Sequence, residues 1–98
     1  MKNVRNMYRS VVTVKKQVKG RCHVHKIGDC FAVENGQILR IIKGDGVCIY
    51  ALAGMLPLFP ALSKELPKED WMAAGVQEYL CIDPENMVLF ELRREKSA

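Results

Sequence analysis

Residues 29–43, DCFAVENGQILRIIK, carry the clearest folding signal in this sequence. In the first part of the segment apolar side chains alternate, so that Phe31 and Val33 share one face of a strand. Asn35 and Gly36 then separate this part from a second apolar run, QILRIIK. Because both residues tolerate a positive φ, Asn-Gly between two apolar runs predicts a β-hairpin.

Segments with strand character lie on both sides of this hairpin. Upstream, 10–18 (SVVTVKKQV) is rich in β-branched residues that alternate with other side chains, which predicts a half-buried strand. Downstream, 77–82 and 87–93 are two further strand candidates, joined by the proline-containing turn DPEN. In the last segment Val88, together with every second residue after it, is expected to face inward. The sequence therefore predicts about five strands.

The part of the chain between the hairpin and the last two strands is helical in character. Residues 47–56 are apolar on nearly all sides, and Pro57 must end or kink this helix because proline lacks the N–H. A second helical piece is expected over 58–66 and a short helix over 67–74. The order of elements predicts an α+β fold: a small, mostly antiparallel sheet with a central apolar helical segment packed on one face.

The chain of 98 residues fits a single domain spanning 1–98. We expect a core over about 10–94, with flexible ends at 1–9 and 95–98. The basic N-terminus is not followed by an apolar segment, as a secretory signal would require. The longest apolar run, 47–62, contains two prolines and is shorter than the roughly 20 residues that a membrane span needs. These features predict a cytoplasmic protein without a membrane partner, whose cysteines stay reduced.

Basic residues are concentrated at the start of the chain. The net charge is +4, but residues 1–28 contain eight basic residues and no acidic one. One interpretation is a non-enzymatic binding module with a basic face for an anionic partner. The residues predicted to bind the anion are Lys15, Lys16, Lys19, Arg21 and Lys26. Nucleic acid is disfavoured as the partner because Tyr8 is the only aromatic in this region, and a solvated basic face is the simpler alternative.

Cys22, His23 and His25 lie within four positions of one another, just before the hairpin. Thiols and imidazoles are good ligands for zinc and other late transition metals. Cys22 and His25 form a C-x-x-H half-site, and a complete site needs the fold to add Cys48 and Cys81. The pattern predicts a metal-binding or reactive-thiol site made of Cys22, His25, Cys48 and Cys81. The alternative is that the cysteines are small core residues and the histidines are solvated.

Several motifs resemble those of a family of small, uncharacterised prokaryotic proteins, known only by a numbered family model. The motifs are C-x-x-H-K-x-G-D-x-F from Cys22, G-x-C-x-x-A from Gly46, L-P at 56–57, A-L at 61–62, C-x-D-P from Cys81 and V-x-F-x-L from Val88. The resemblance covers about 10–94. It implies marked positions at Cys22, His25, Cys48 and Cys81. It implies no activity, substrate or cofactor.

The chain departs from this family pattern at two positions. Val24 stands where the family tends to have a small residue, often glycine, and Ile82 stands where it tends to have proline. Cys30 and His23 lie outside the pattern. A third functional interpretation, independent of the cysteines, is a small-molecule pocket beneath the helical segment, lined by Met55, Leu58 and Phe59.

Overall fold

The computed structural model describes residues 8–74 and 76–96. It contains five strands: β1 (Tyr8–Gln17), β2 (Cys30–Glu34), β3 (Ile38–Lys43), β4 (Val76–Leu80) and β5 (Val88–Lys96). All pairings are antiparallel, and the strands form one sheet in the order β3-β2-β1-β5-β4. Two short helices, α1 (Ile49–Met55) and α2 (Leu58–Leu62), pack on one face. The predicted α+β fold with five strands is confirmed.

The central strand β1 sets the register of the sheet. Its Val12 lies opposite Phe31 of β2 on one side and opposite Leu92 of β5 on the other. Side chains that face each other across antiparallel strands point to the same side of the sheet. The three residues therefore start a continuous apolar layer. An irregularity between Val14 and Lys16 interrupts the pairing with β5 near the end of β1.

The hydrophobic core lies between this layer and the two helices. The sheet contributes Val12, Val14, Phe31, Val33, Val88, Phe90 and Leu92, and the helices contribute Ala51, Met55, Phe59 and Leu62. The predicted inward face of β5 is thus confirmed, and Phe31 and Val33 share one face of β2 as expected. Met55 and Phe59, predicted to line a small-molecule pocket, are instead among the most buried residues of the core.

The opposite face of the sheet carries ion pairs. Arg9 and Glu95 lie 2.9 Å apart, and Lys15 lies 3.5 Å from Glu91. An antiparallel sheet can leave one face in contact with water, and charged side chains suit that position. Cys30 also belongs to this face, where its sulfur accepts a hydrogen bond from the Thr13 hydroxyl at 3.7 Å.

The helices are shorter than the sequence predicted. Pro57 ends the first helical segment as expected, and Pro60 is accommodated because it lies in the first turn of α2, where a helical N–H has no partner. Within 67–74, only Trp71–Ala74 forms a single 3-10 turn. None of the helices in the described parts of the chain is long and apolar enough to cross a membrane.

The first and last strands in the sequence extend closer to the chain ends than predicted. β1 begins at Tyr8 and β5 ends at Lys96, and these two residues pair with each other. The predicted flexible ends, 1–9 and 95–98, thus include the first two residues of β1 and the last two of β5. The rest of the predicted flexible ends, 1–7 and 97–98, lies outside the described residues.

Leucine-to-alanine substitutions should reduce stability by different amounts on the two faces of the sheet. Leu92 is 1% exposed in the core, whereas Leu80 is 50% exposed. We expect Leu92→Ala to lower the free energy of unfolding by about 2–5 kcal/mol, because it leaves a cavity among packed side chains. Leu80→Ala should cost less than about 1 kcal/mol. Urea denaturation of both variants measures the difference, and equal losses would contradict the assignment of the inward face.

Candidate functional site

Cys22, Cys48 and Cys81 line one pocket, with a volume of about 430 Å³. Cys22 lies in the loop between β1 and β2, Cys48 directly precedes α1, and Cys81 directly follows β4. Each is a partly buried free thiol that packs against the edge of the hydrophobic core. The fold therefore brings together three thiols that are far apart in the sequence.

Contacts between two loops place Cys22 near Cys81. The loop that follows β1 crosses the β4–β5 turn so closely that a Cβ at Gly20 would overlap the carbonyl oxygen of Glu85. The next residue, Arg21, donates its backbone N–H to the side-chain oxygen of Asn86 at 3.1 Å. Glycine at position 20, with φ of +63°, allows this approach.

The β4–β5 turn is shaped by the carboxylate of Asp83. It accepts backbone N–H bonds from Glu85 at 2.9 Å and from Asn86 at 3.2 Å. These bonds, that from Glu85 above all, hold the pKa of Asp83 below its ordinary value. The carboxyl group is thus ionised at neutral pH, and it lines the same pocket as the three thiols.

His25 joins the loop between β1 and β2 to the start of α1. Its backbone N–H donates to the sulfur of Cys22 at 3.3 Å, and its ring Nε2 accepts the backbone N–H of Cys48 at 3.1 Å. The ring stands edge-on to Phe90 of β5, with 5.2 Å between ring centroids. His25 is only 4% exposed, so it holds two of the three thiol-bearing segments against the sheet from within.

The hydrogen bond to Nε2 also defines the protonation state of the imidazole. A neutral ring that accepts at Nε2 carries its proton at Nδ1. Burial lowers the pKa of His25, and the nearby charge of Asp29 offsets this only in part. The ring is therefore neutral at pH 7, and its buried Nδ1 has no hydrogen-bond partner within the described residues. Neither nitrogen offers a free lone pair, which argues against the predicted role of His25 as a metal ligand.

The geometry gives no support to a metal centre. Among residues 8–74 and 76–96, no three or more His, Cys, Asp or Glu side chains are placed to hold a metal ion. Cys22, Cys48 and Cys81 share a pocket wall without being arranged as ligands of a single ion. Zinc or another transition metal at these positions, as the sequence predicted together with His25, therefore requires a rearrangement of the site.

The rest of the pocket wall is mostly apolar. Besides the three thiols, the pocket is lined by Val24, Tyr50, Ile82, Pro84, His23, Asn86 and Asp83. Asp83 supplies the one carboxylate among these lining residues. Tyr50 and Ile82 were not predicted as site residues, because neither residue type signals a function by itself.

The basic residues predicted to bind an anion are divided between different environments. Lys15 and Lys19 lie 3.5 and 3.7 Å from carboxylates of β5 and of the β4–β5 turn. Arg21 and Lys26 line a second, smaller pocket of about 280 Å³, which also contains Asp45. Two of the predicted anion-binding residues are thus already paired with carboxylates.

Comparison with known proteins gives no match, whether with family models, curated proteins or solved structures. Support for the site therefore comes from its own geometry.

Two glycine substitutions should test whether the loop contact positions the pocket. Gly20 and Gly28 both have positive φ, but a Cβ at Gly28 would meet only the end of the Lys43 side chain, at 3.4 Å. We expect Gly20→Ala to reduce stability by about 1–3 kcal/mol more than Gly28→Ala, because the added methyl group displaces a neighbouring backbone. Urea denaturation checks this, and a larger loss in Gly28→Ala would show that backbone strain alone decides.

Stability should depend on pH through His25. In the unfolded chain a histidine binds a proton below about pH 6.5, whereas the folded protein resists protonation until a lower pH. The contribution of neutral, buried His25 to stability is therefore fully present above about pH 6.5. It is lost as the pH falls from there through the lower pKa of folded His25. His25→Gln should weaken this dependence, while His23→Gln, at an exposed position, should retain it.

Melting temperatures from pH 8 to pH 5 measure both variants against the parent protein. The same pH slope in both variants would contradict the assignment.

Proposed function

We propose that the protein acts through cysteine chemistry in the pocket lined by Cys22, Cys48 and Cys81, where a thiol reacts with a small thiophilic ligand. The observation that supports this proposal is that three thiols from three separate segments line one cavity. The remaining cysteine, Cys30, lies on the other face of the sheet and serves as an internal reference.

Partial exposure distinguishes these thiols from ordinary core cysteines. A structural cysteine is usually buried among apolar side chains, whereas a reactive one must be reached by its partner. Cys22, Cys48 and Cys81 are each partly exposed at the pocket while resting on the core. A reagent can therefore reach these thiols, while the core packs against them.

Of the three thiols, Cys22 is the best candidate for the reacting group. Its sulfur accepts the backbone N–H of His25 at 3.3 Å, which fixes the direction of the side chain. His25 is in turn held by Cys48 and Phe90. In this proposal His25 is a positioning residue, and its substitution should affect the reaction through the loop.

A reactive thiol places fewer geometric requirements on the site than a metal centre does. Metal binding requires several sulfurs at about 2.3 Å from one point, whereas reaction requires only one accessible sulfur. The alternative of a module with a basic face for an anionic partner has less support, since Lys15 and Lys19 already face carboxylates.

Labelling of the folded protein with N-ethylmaleimide, with each cysteine quantified by mass spectrometry, tests the proposal. We expect Cys22 to react before Cys30, and a label on Cys22 to slow the reaction of Cys48 and Cys81 because it fills the shared pocket. Cys22→Ser should abolish this protection, and Cys30→Ser should leave it intact.

Two results would overturn the proposal. One is a folded protein in which Cys22 does not react, or in which all four cysteines react independently at equal rates. The other is a stoichiometric transition metal in anaerobically purified protein whose removal exposes the three thiols together, which would replace the reactive-thiol site with a metal centre.

A further inference from the structure

The mouth of the thiol pocket is surrounded by large apolar side chains that remain in contact with solvent. Val24 is 45% exposed, Tyr50 is 66% exposed and Ile82 is 67% exposed, and all three line the pocket. They come from the same three segments as the thiols. Apolar surface around a concave site is typical of a place where an apolar ligand is bound.

We infer that the pocket selects an apolar ligand, in which an aromatic or branched hydrocarbon group carries the thiol-reactive centre. This inference rests on the proposed function, because it names the class of compound that would react with Cys22. The volume of about 430 Å³ suits such a molecule, since small-molecule sites commonly measure roughly 300–1,000 Å³.

The charge at the pocket disfavours an anionic ligand. Asp83 lines the wall and is ionised at neutral pH, because two backbone N–H groups stabilise its carboxylate. Arg21 and Lys26 line the smaller pocket, which adjoins the thiol pocket through the shared residues Cys22, His23 and Val24 and also contains Asp45. An anion in the thiol pocket would therefore meet the negative charge of Asp83, and no lysine or arginine is among the residues that line the wall.

Methanethiosulfonate reagents provide matched probes, because the leaving group stays the same while the transferred group changes. The Cys22 sulfur attacks the sulfur that bears the transferred group, and a new disulfide bond forms. The bond to the sulfonyl sulfur breaks, methanesulfinate leaves with its electron pair, and the thiol proton passes to solvent. The reagent is itself the oxidant, so no other co-reactant is needed.

The experiment compares benzyl with 2-sulfonatoethyl methanethiosulfonate at Cys22, each rate being divided by the rate with free N-acetylcysteine. We expect the benzyl reagent to be favoured by about tenfold or more after this correction, because its ring removes apolar surface from water in the pocket. The modification of Cys22 is followed by mass spectrometry.

Two isoleucine-to-serine variants test which surface causes the preference for the benzyl group. Ile82 and Ile49 are 67% and 69% exposed, but only Ile82 is among the residues that line the pocket. Ile82→Ser should reduce the preference for the benzyl group several-fold, and Ile49→Ser should change it by less than about twofold. Tyr50→Ser should act in the same direction as Ile82→Ser.

The outcomes separate this inference from the proposed function. If Cys22 reacts with neither reagent, the thiol chemistry itself is wrong. If Cys22 reacts equally with both after correction, prefers the sulfonate, or responds alike to Ile82→Ser and Ile49→Ser, the apolar selection is wrong while the reactive thiol stands.

Discussion

The antiparallel pairing of β1 with β5 is the constraint on which the site depends. It joins nine residue pairs, and the last pair places Gln17 opposite Val88. The loop that leaves β1 is therefore beside the turn that enters β5. Further backbone bonds from Val18 and Lys19 to the carbonyl oxygen of Met87 continue this contact beyond the strands. With this register, the segments carrying Cys22 and Cys81 have to meet, and a slip by one residue would turn the core side chains outward.

His25 connects the third segment, which carries Cys48, to the site. The imidazole of His25 is buried, and one of its nitrogens has no hydrogen-bond partner among the residues that the structure describes. This is costly because the group loses its hydrogen bonds with water. A core residue of similar size would avoid that cost. In return, the imidazole Nε2 accepts the backbone N–H of Cys48. The bond to the sulfur of Cys22 comes from the backbone N–H of His25 and does not depend on the imidazole. Departures from the rule that buried polar groups are hydrogen-bonded are expected at functional sites, and His25 is such a departure.

The sequence was most informative where the signal is local. The Asn-Gly turn is present, and both Asn35 and Gly36 have positive φ, at 59° and 68°. The order of strands and helices and the inward face of β5 were also predictable. The extension of β1 to Tyr8 was not, because it depends on pairing with a strand about eighty residues away. The role of His25 was missed because its hydrogen bond to Cys48 depends on tertiary structure, and Tyr50 and Ile82 carry no motif.

The convergence of the three thiols can be measured directly with dibromobimane, which links two cysteines only when they lie close together and becomes fluorescent when it does. The account predicts that in Cys30→Ser, under native conditions, the reagent links the peptide containing Cys22 to the peptide containing Cys48 or Cys81, and that unfolding in urea beforehand abolishes this pattern. Single attachments at each cysteine, without a link, would show that the pocket does not bring the thiols together.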